Sequence, residues 1–117
     1  MSNTEVLGVL ALAHALIDSG WCQGYLARDR NRRKAYSLDS EARRWCLSGA
    51  LHLAFNQGEW RDPFYEYQAL IRWIVRLLPE QPSPLLSARL VAWNDAKGRR
   101  KQDVLALIET AAAEVGK

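Results

Sequence analysis

The 117-residue sequence predicts an all-α fold, a small bundle of about five helices with an irregular loop or short hairpin after the first helix. Apolar residues recur at three- and four-residue steps in several segments, which is the spacing of one helix face. Asp62-Pro63 and Ser83-Pro84 each place proline after a capping residue, where its missing N–H costs nothing. With 49% hydrophobic and 25% charged residues, the chain is expected to fold as one α-helical domain over residues 1–117.

Helix one is predicted at residues 4–19, with Asn3 or Thr4 as its cap and Gly20 as a left-handed stop. It is apolar on nearly every side, and a helix without a polar face is buried on several sides. We therefore expect it at the centre of the domain.

Residues 21–38 lack a helical pattern. Within them, residues 25–28 and 34–38 are predicted to pair as a short, irregular hairpin around a turn at residues 29–33. Two strands alone are marginally stable, so this hairpin requires support from the helices.

Helix two is predicted at residues 40–56 from a stripe at helical spacing: Ala42, Trp45, Cys46, Gly49, Ala50 and Leu53. Gly49 and Ala50 would leave this stripe flat beside Trp45, so that helix one could approach closely. Helix three is expected from Asp62 to about residue 78.

Helix four is predicted from residue 84 to Trp93, and helix five spans residues 100–115 after a turn at residues 94–98. One face of helix three is either core or the interface of a homodimer; it carries Phe64, Tyr67, Ile71 and Ile74.

The longest apolar run, residues 6–17, is shorter than the ~20 residues of a membrane span. Glu5 precedes it, whereas a signal peptide has basic residues there. We therefore expect a cytoplasmic protein without a membrane partner, in which Cys22 and Cys46 are reduced thiols.

The net charge of +3 comes from two short basic loops on a mildly acidic body. Residues 28–34 carry a net charge of +4, residues 97–103 carry +3, and the rest of the chain sums to −4. The basic side chains concerned are Arg28, Arg30, Arg32, Arg33, Lys34, Arg99, Arg100 and Lys101. Trp21, Tyr25 and Tyr36 flank the first loop, so base stacking is conceivable, although the net charge is modest for a dedicated nucleic-acid binder.

Trp-Cys occurs twice, at Trp21-Cys22 and Trp45-Cys46. The simplest interpretation is two core anchors, because free cysteine is among the most buried residue types. The enzymatic alternative is a cysteine nucleophile with a histidine base, His14 or His52, oriented by Asn94 or Asp95.

The spacings among the two cysteines and two histidines match no zinc-ligand pattern. The sequence also lacks the glycine-rich phosphate-binding motifs and the hydrolase and metalloprotease motifs. No metal and no cofactor is therefore expected.

Three motifs stand together in this order: Trp21-Cys22-Gln23-Gly24 with Ala27 and Asp29, Trp45-Cys46-Leu47-Ser48-Gly49-Ala50-Leu51, and Trp93-Asn94-Asp95. Over residues 5–112 they resemble an uncharacterised family of small bacterial and bacteriophage proteins. This resemblance implies motif positions and a bacterial or phage context, but no reaction. One departure is Arg99-Arg100-Lys101, where members typically have a Thr or Ser cap before the last helix.

The three motifs are expected to converge in space, because they include polar residues that core packing alone does not require. They would form either a buried polar network or a site for a small ligand or peptide. The candidate interaction residues are Trp21, Cys22, Gln23, Gly24, Trp45, Cys46, Trp93, Asn94 and Asp95. Trp60 and Trp73 lie outside the motifs and are interpreted as local packing around helix three.

The leading hypothesis is a small, cytoplasmic, non-enzymatic binding protein that engages another protein as an accessory or host-interaction factor of a phage or mobile element. Its surface would be residues 21–38 beside residues 94–101. One alternative is a Cys-dependent enzyme or small-ligand binder with Cys22, Gln23 and Asp95 in a Trp-lined pocket. The other is a nucleic-acid-binding module that uses the basic loops.

Overall fold

The computed structural model describes residues 1–117 as five helices and a small sheet. The helices are α1 (Asn3–Ser19), α2 (Leu47–Asn56), α3 (Pro63–Val75), α4 (Leu86–Asp95) and α5 (Lys101–Glu114), and the strands are β1 (Ala27–Arg28), β2 (Lys34–Ala35) and β3 (Arg44–Trp45). Helices contain 55% of the residues, so the prediction of five helices is confirmed. The three-stranded sheet means that the fold is mainly helical and not all-α.

The sheet is antiparallel in the order β2-β1-β3. Ala27 in the central strand lies opposite Ala35 on one side and Trp45 on the other, and all three side chains are buried. The hairpin predicted after helix one is therefore present, although each strand is only two residues long. The third strand was not expected from the sequence.

Helix two begins at Leu47 and not at residue 40, because the backbone of residues 44–46 bonds to other segments. Trp45 donates its N–H to the carbonyl of Gly20 (3.0 Å), and Cys46 donates to that of Leu26 (3.0 Å). The indole Nε1 of Trp45 donates to Ser37 O at 3.1 Å. Pairing in the sheet thus takes the place of a first helical turn.

The first helix starts one residue earlier than predicted and is capped by Ser2. The Ser2 hydroxyl accepts the N–H of Glu5 (3.1 Å), whose carboxylate accepts the N–H of Ser2 (2.7 Å). Helix α1 packs on α2 and α5. It buries one face only, since Leu7 and Leu12 remain exposed. The expectation of burial on several sides was wrong.

Gly20 does follow the end of α1, but not in the left-handed conformation that we expected. Its φ is −177°, which is extended backbone that any residue can adopt. Glycine is required there for space, because a Cβ would lie 2.3 Å from Arg43 O.

The later helices differ from prediction mainly at their ends. Helix α3 stops at Val75, and α4 runs from Leu86 to Asp95. Ile71 and Ile74 are fully buried, so this part of the helix-three face is core, whereas Phe64 is 69% exposed.

Asp103 provides the cap of α5 in place of a preceding Ser or Thr. Its carboxylate accepts the Arg100 backbone N–H at 2.9 Å and the Arg100 guanidinium at 3.1 Å. These bonds lower the pKa of the Asp103 carboxyl, which lies at the positive end of the helix.

A core of 22 buried residues joins the five helices and the sheet. Trp60 stacks on Phe55 with ring centroids 4.7 Å apart and donates to Phe55 O (2.7 Å). Trp73 donates to Ala111 O of α5 (3.4 Å). Trp73, in α3, thus bonds to α5, whereas Trp60 precedes α3 and packs on Phe55 of α2. None of the helices combines the length and apolar character needed to cross a membrane.

Gly49 brings the start of α2 against the backbone that precedes β1. A Cβ on this residue would lie 2.1 Å from Leu26 O. The close neighbour is therefore the loop carbonyl and not helix one, although α1 and α2 do pack together.

We predict that Gly49→Ala lowers the free energy of unfolding by about 2 kcal/mol, because helix or loop must shift to admit the methyl group. Urea denaturation followed by circular dichroism measures the change. Gly8→Ala is the matched control, since its Cβ would meet nothing within 4 Å. That control is expected to stabilise the protein by about 0.5–1 kcal/mol. Equal stability of Gly49→Ala and the natural protein would contradict the steric argument.

Candidate functional site

The three sequence motifs meet at the side chain of Asn94, which is completely buried near the end of α4. Its Oδ1 accepts the indole N–H of Trp21 (2.8 Å) and the backbone N–H of Leu47 (3.0 Å). Its Nδ2 donates to Cys22 O (3.1 Å) and to the Asp95 carboxylate (2.9 Å). Both lone pairs and both amide hydrogens of Asn94 are thus used.

Gln23 and Gly24 extend these contacts at the surface. The Gln23 amide donates to Asn94 O (2.9 Å) and Ala96 O (3.3 Å). Gly24 donates its N–H to the Asp95 carboxylate (3.0 Å) and has a φ of +85°, which favours glycine. The loop after α1 is therefore bonded to the end of α4, as the predicted convergence requires.

Every buried side-chain nitrogen and oxygen has a hydrogen-bond partner. Of the two arrangements expected for the motifs, the structure contains the buried polar network. A surface groove of about 720 Å³ lies elsewhere, between the N-terminus, α3 and the C-terminus, with Val6, Leu70, Trp73 and Val115 among its lining residues. No motif residue lines this groove.

Both thiols are buried and free. Burial and the neighbouring Cys46 raise the pKa of the Cys22 thiol to about 12, and burial raises the pKa of Cys46 as well. Cys46 Sγ accepts the N–H of Gly49 (3.4 Å) at the start of α2. These thiols are protonated at neutral pH, which does not favour a thiolate nucleophile.

Neither histidine is hydrogen-bonded to a cysteine. His14 Nε2 lies 2.8 Å from a carboxylate oxygen of Glu109, and His52 Nδ1 lies 2.6 Å from the hydroxyl of Ser37. Each of the two histidines considered as the base for a cysteine nucleophile is therefore hydrogen-bonded to a residue other than cysteine.

The first basic loop is a tightly held turn between β1 and β2. The Asp29 carboxylate accepts the N–H groups of Asn31 (2.8 Å) and Arg33 (2.9 Å). Arg28 Nη1 donates to Arg32 O (3.0 Å), and Arg32 has a φ of +64°. Since Arg28 Nη2 also donates to Gln23 O (3.2 Å), the turn is linked to the motif network.

The cationic side chains beside this turn have no carboxylate partner within 4 Å. We call them the basic sheet surface: Arg30, Arg32, Arg33, Lys34 and Arg44. Arg44 lies on β3 opposite Arg28, and sequence reasoning missed it because it placed this residue in helix two. Strand pairing between distant segments leaves no local periodicity that could have revealed it.

The second basic loop differs, because its three predicted residues bond within the chain. Arg99 lies 4.0 Å over the Trp93 ring and donates to Trp93 O (2.8 Å). Arg100 pairs with Asp103, and Lys101 donates to Asp18 O (2.9 Å). This loop mainly holds the ends of α1, α4 and α5 together.

The fold and site define a small, mainly helical protein in which three tryptophan-containing segments are joined by one buried asparagine. The chain matches the family of unknown function DUF6197 over residues 1–114 and belongs to it. No curated protein and no solved structure matches the chain significantly.

We predict that Asn94→Leu lowers the free energy of unfolding by about 3 kcal/mol or more, because two N–H donors and one carbonyl lose a buried partner. Chemical denaturation measures the change. Asn56→Leu is the control, since Asn56 is exposed at the end of α2 and its effect should stay within about 0.5 kcal/mol. Similar losses for the two variants would show that the network does not stabilise the fold.

Alkylation by iodoacetamide at neutral pH is expected to be slow in the folded protein and fast after unfolding in urea. The reason is that both thiols are buried with raised pKa values. Mass spectrometry of the Cys22→Ser and Cys46→Ser variants assigns the rate to each thiol. Rapid modification of Cys22 in the folded state would support the enzymatic alternative instead.

Proposed function

We propose that this protein is a small, cytoplasmic, non-enzymatic binding protein that engages another protein, and that the basic sheet surface makes the contact. A role as an accessory or host-interaction factor of a phage or mobile element fits the family resemblance. The observation that carries the proposal is a set of guanidinium and ammonium groups at one turn without a carboxylate partner.

The motif network supports this assignment by its chemistry. Asn94 uses its full hydrogen-bonding capacity inside the protein, and the buried thiol of Cys22 is protonated at neutral pH. The motifs therefore act as a scaffold, which favours a surface function over catalysis.

Arginine and tyrosine side chains further support a binding role for the sheet. Tyr36 is 64% exposed, its ring centroid is 6.1 Å from that of Tyr25, and Lys34 lies over the Tyr25 ring. Both residue types are enriched among the side chains that dominate protein interfaces.

The same tyrosines favour a second candidate function, the binding of single-stranded nucleic acid. Aromatic rings next to cationic groups can stack on bases while the cations contact phosphates. Such binding would weaken steeply as salt increases.

We predict that the triple variant Arg30→Glu, Arg32→Glu, Arg33→Glu loses most of the partner protein that the immobilised natural protein captures from a bacterial lysate. Charge reversal replaces attraction by repulsion at the contact. Quantitative mass spectrometry of the captured proteins measures the loss. The matched control is Arg61→Glu, Arg72→Glu, Lys117→Glu, since these exposed residues lie outside the sheet and outside residues 94–101 and change the net charge equally.

Circular dichroism must show that both triple variants are folded. Equal capture by the sheet variant and the natural protein would contradict the proposed surface. Capture that disappears after nuclease treatment of the lysate would identify the second candidate function.

A further inference from the structure

We infer that the basic sheet surface recognises a short acidic segment of a partner protein, whose glutamate and aspartate carboxylates it binds. This inference rests on the proposed function and adds the chemistry of the partner. It depends on how the three strands arrange their charged side chains.

The sheet has one buried row and one basic row. Ala35, Ala27 and Trp45 lie side by side and face the core. The next row consists of Lys34, Arg28 and Arg44, at directly opposed positions on the three strands. Side chains at opposed positions project from the same face. Within this row the Arg28 guanidinium is bonded to Gln23 O and Arg32 O, so Lys34 and Arg44 supply the cationic groups without a carboxylate partner, next to the arginines of the turn.

Acidic residues close in sequence leave these charges largely uncompensated. Residues 28–44 contain seven cationic and three acidic side chains. The Asp29 carboxylate accepts two backbone N–H groups of the turn, and Asp39 Oδ2 accepts the N–H of Tyr36 (2.9 Å). Glu41 is exposed and is the third acidic residue. Asp29 and Asp39 thus bind backbone N–H groups, and neither forms an ion pair with a cationic side chain of this surface.

The turn is organised before any partner arrives. Arg28 donates to both Gln23 O and Arg32 O, and the Asp29 carboxylate accepts the N–H groups of Asn31 and Arg33. A preformed loop loses less conformational entropy on binding. Guanidinium groups bind carboxylates through paired hydrogen bonds, so the predominance of arginine suits this partner.

The dimensions and the charge distribution favour a peptide over a nucleic acid. Two residues per strand and three strands span only about 7 by 10 Å, which matches two or three carboxylate side chains. Outside the two basic loops the chain has a net charge of −4. A nucleic acid would need a longer basic track than this patch provides, whereas a short acidic segment would not.

Fluorescence anisotropy at low salt tests the inference with a fluorescein-labelled peptide of alternating glutamate and serine. We expect the natural protein to bind it and the double variant Lys34→Gln, Arg44→Gln to bind about fivefold more weakly, as two lost ion pairs imply. Arg61→Gln, Arg72→Gln is the control for net charge and should bind like the natural protein. The peptide with glutamine in place of glutamate should not bind.

Three results would overturn the inference: no binding of the glutamate peptide, equal binding by the two double variants, or tighter binding of an oligothymidylate with the same net charge. The last result would assign the surface to nucleic acid. If the peptide does not bind while charge reversal still abolishes protein capture, the proposed function holds and only the acidic chemistry of the partner is wrong.

Discussion

The fold depends on one buried amide group. Asn94 lies at the end of α4, yet three of its four side-chain hydrogen bonds reach the loop after α1 and the start of α2, and the fourth binds the adjacent Asp95. A buried polar group that is fully bonded specifies one arrangement of its neighbours, since any other arrangement leaves donors or acceptors without partners. Asn94 thereby determines how the irregular segment before the sheet sits on the helices.

The same constraint extends to the surface through a continuous set of contacts. Gln23 donates to the backbone at the end of α4, and its own carbonyl accepts from Arg28, which in turn holds Arg32 O. The motif residues thus support the turn, and the contact that we propose with a partner is left to side chains outside the motif network. The motif network and the basic sheet surface are adjacent but consist of different residues.

Local signals in the sequence predicted the five helices, because apolar periodicity and the Asp62-Pro63 pair act within a few residues. Ser83-Pro84 does not cap α4, whose N-cap is Leu85. Local signals also predicted the hairpin and the convergence of the three motifs around polar residues. They failed at residues 40–46, where the backbone of Trp45 bonds to Gly20 instead of forming a helical turn. Glycine is required at positions 20 and 49 because carbonyl groups distant in sequence lie too close to admit a Cβ. No local pattern in the sequence indicates these contacts.

The bond between Trp21 and Asn94 joins residues 73 positions apart. Forming this bond closes a long loop, which costs conformational entropy. The chain loses this entropy before the hydrogen bonds of Asn94 can compensate for it. Folding is therefore expected to be slower than in a helical bundle of the same size with only short connections. During synthesis, the first Trp-Cys segment must also wait until Asn94 has left the ribosome before it can reach its final partner.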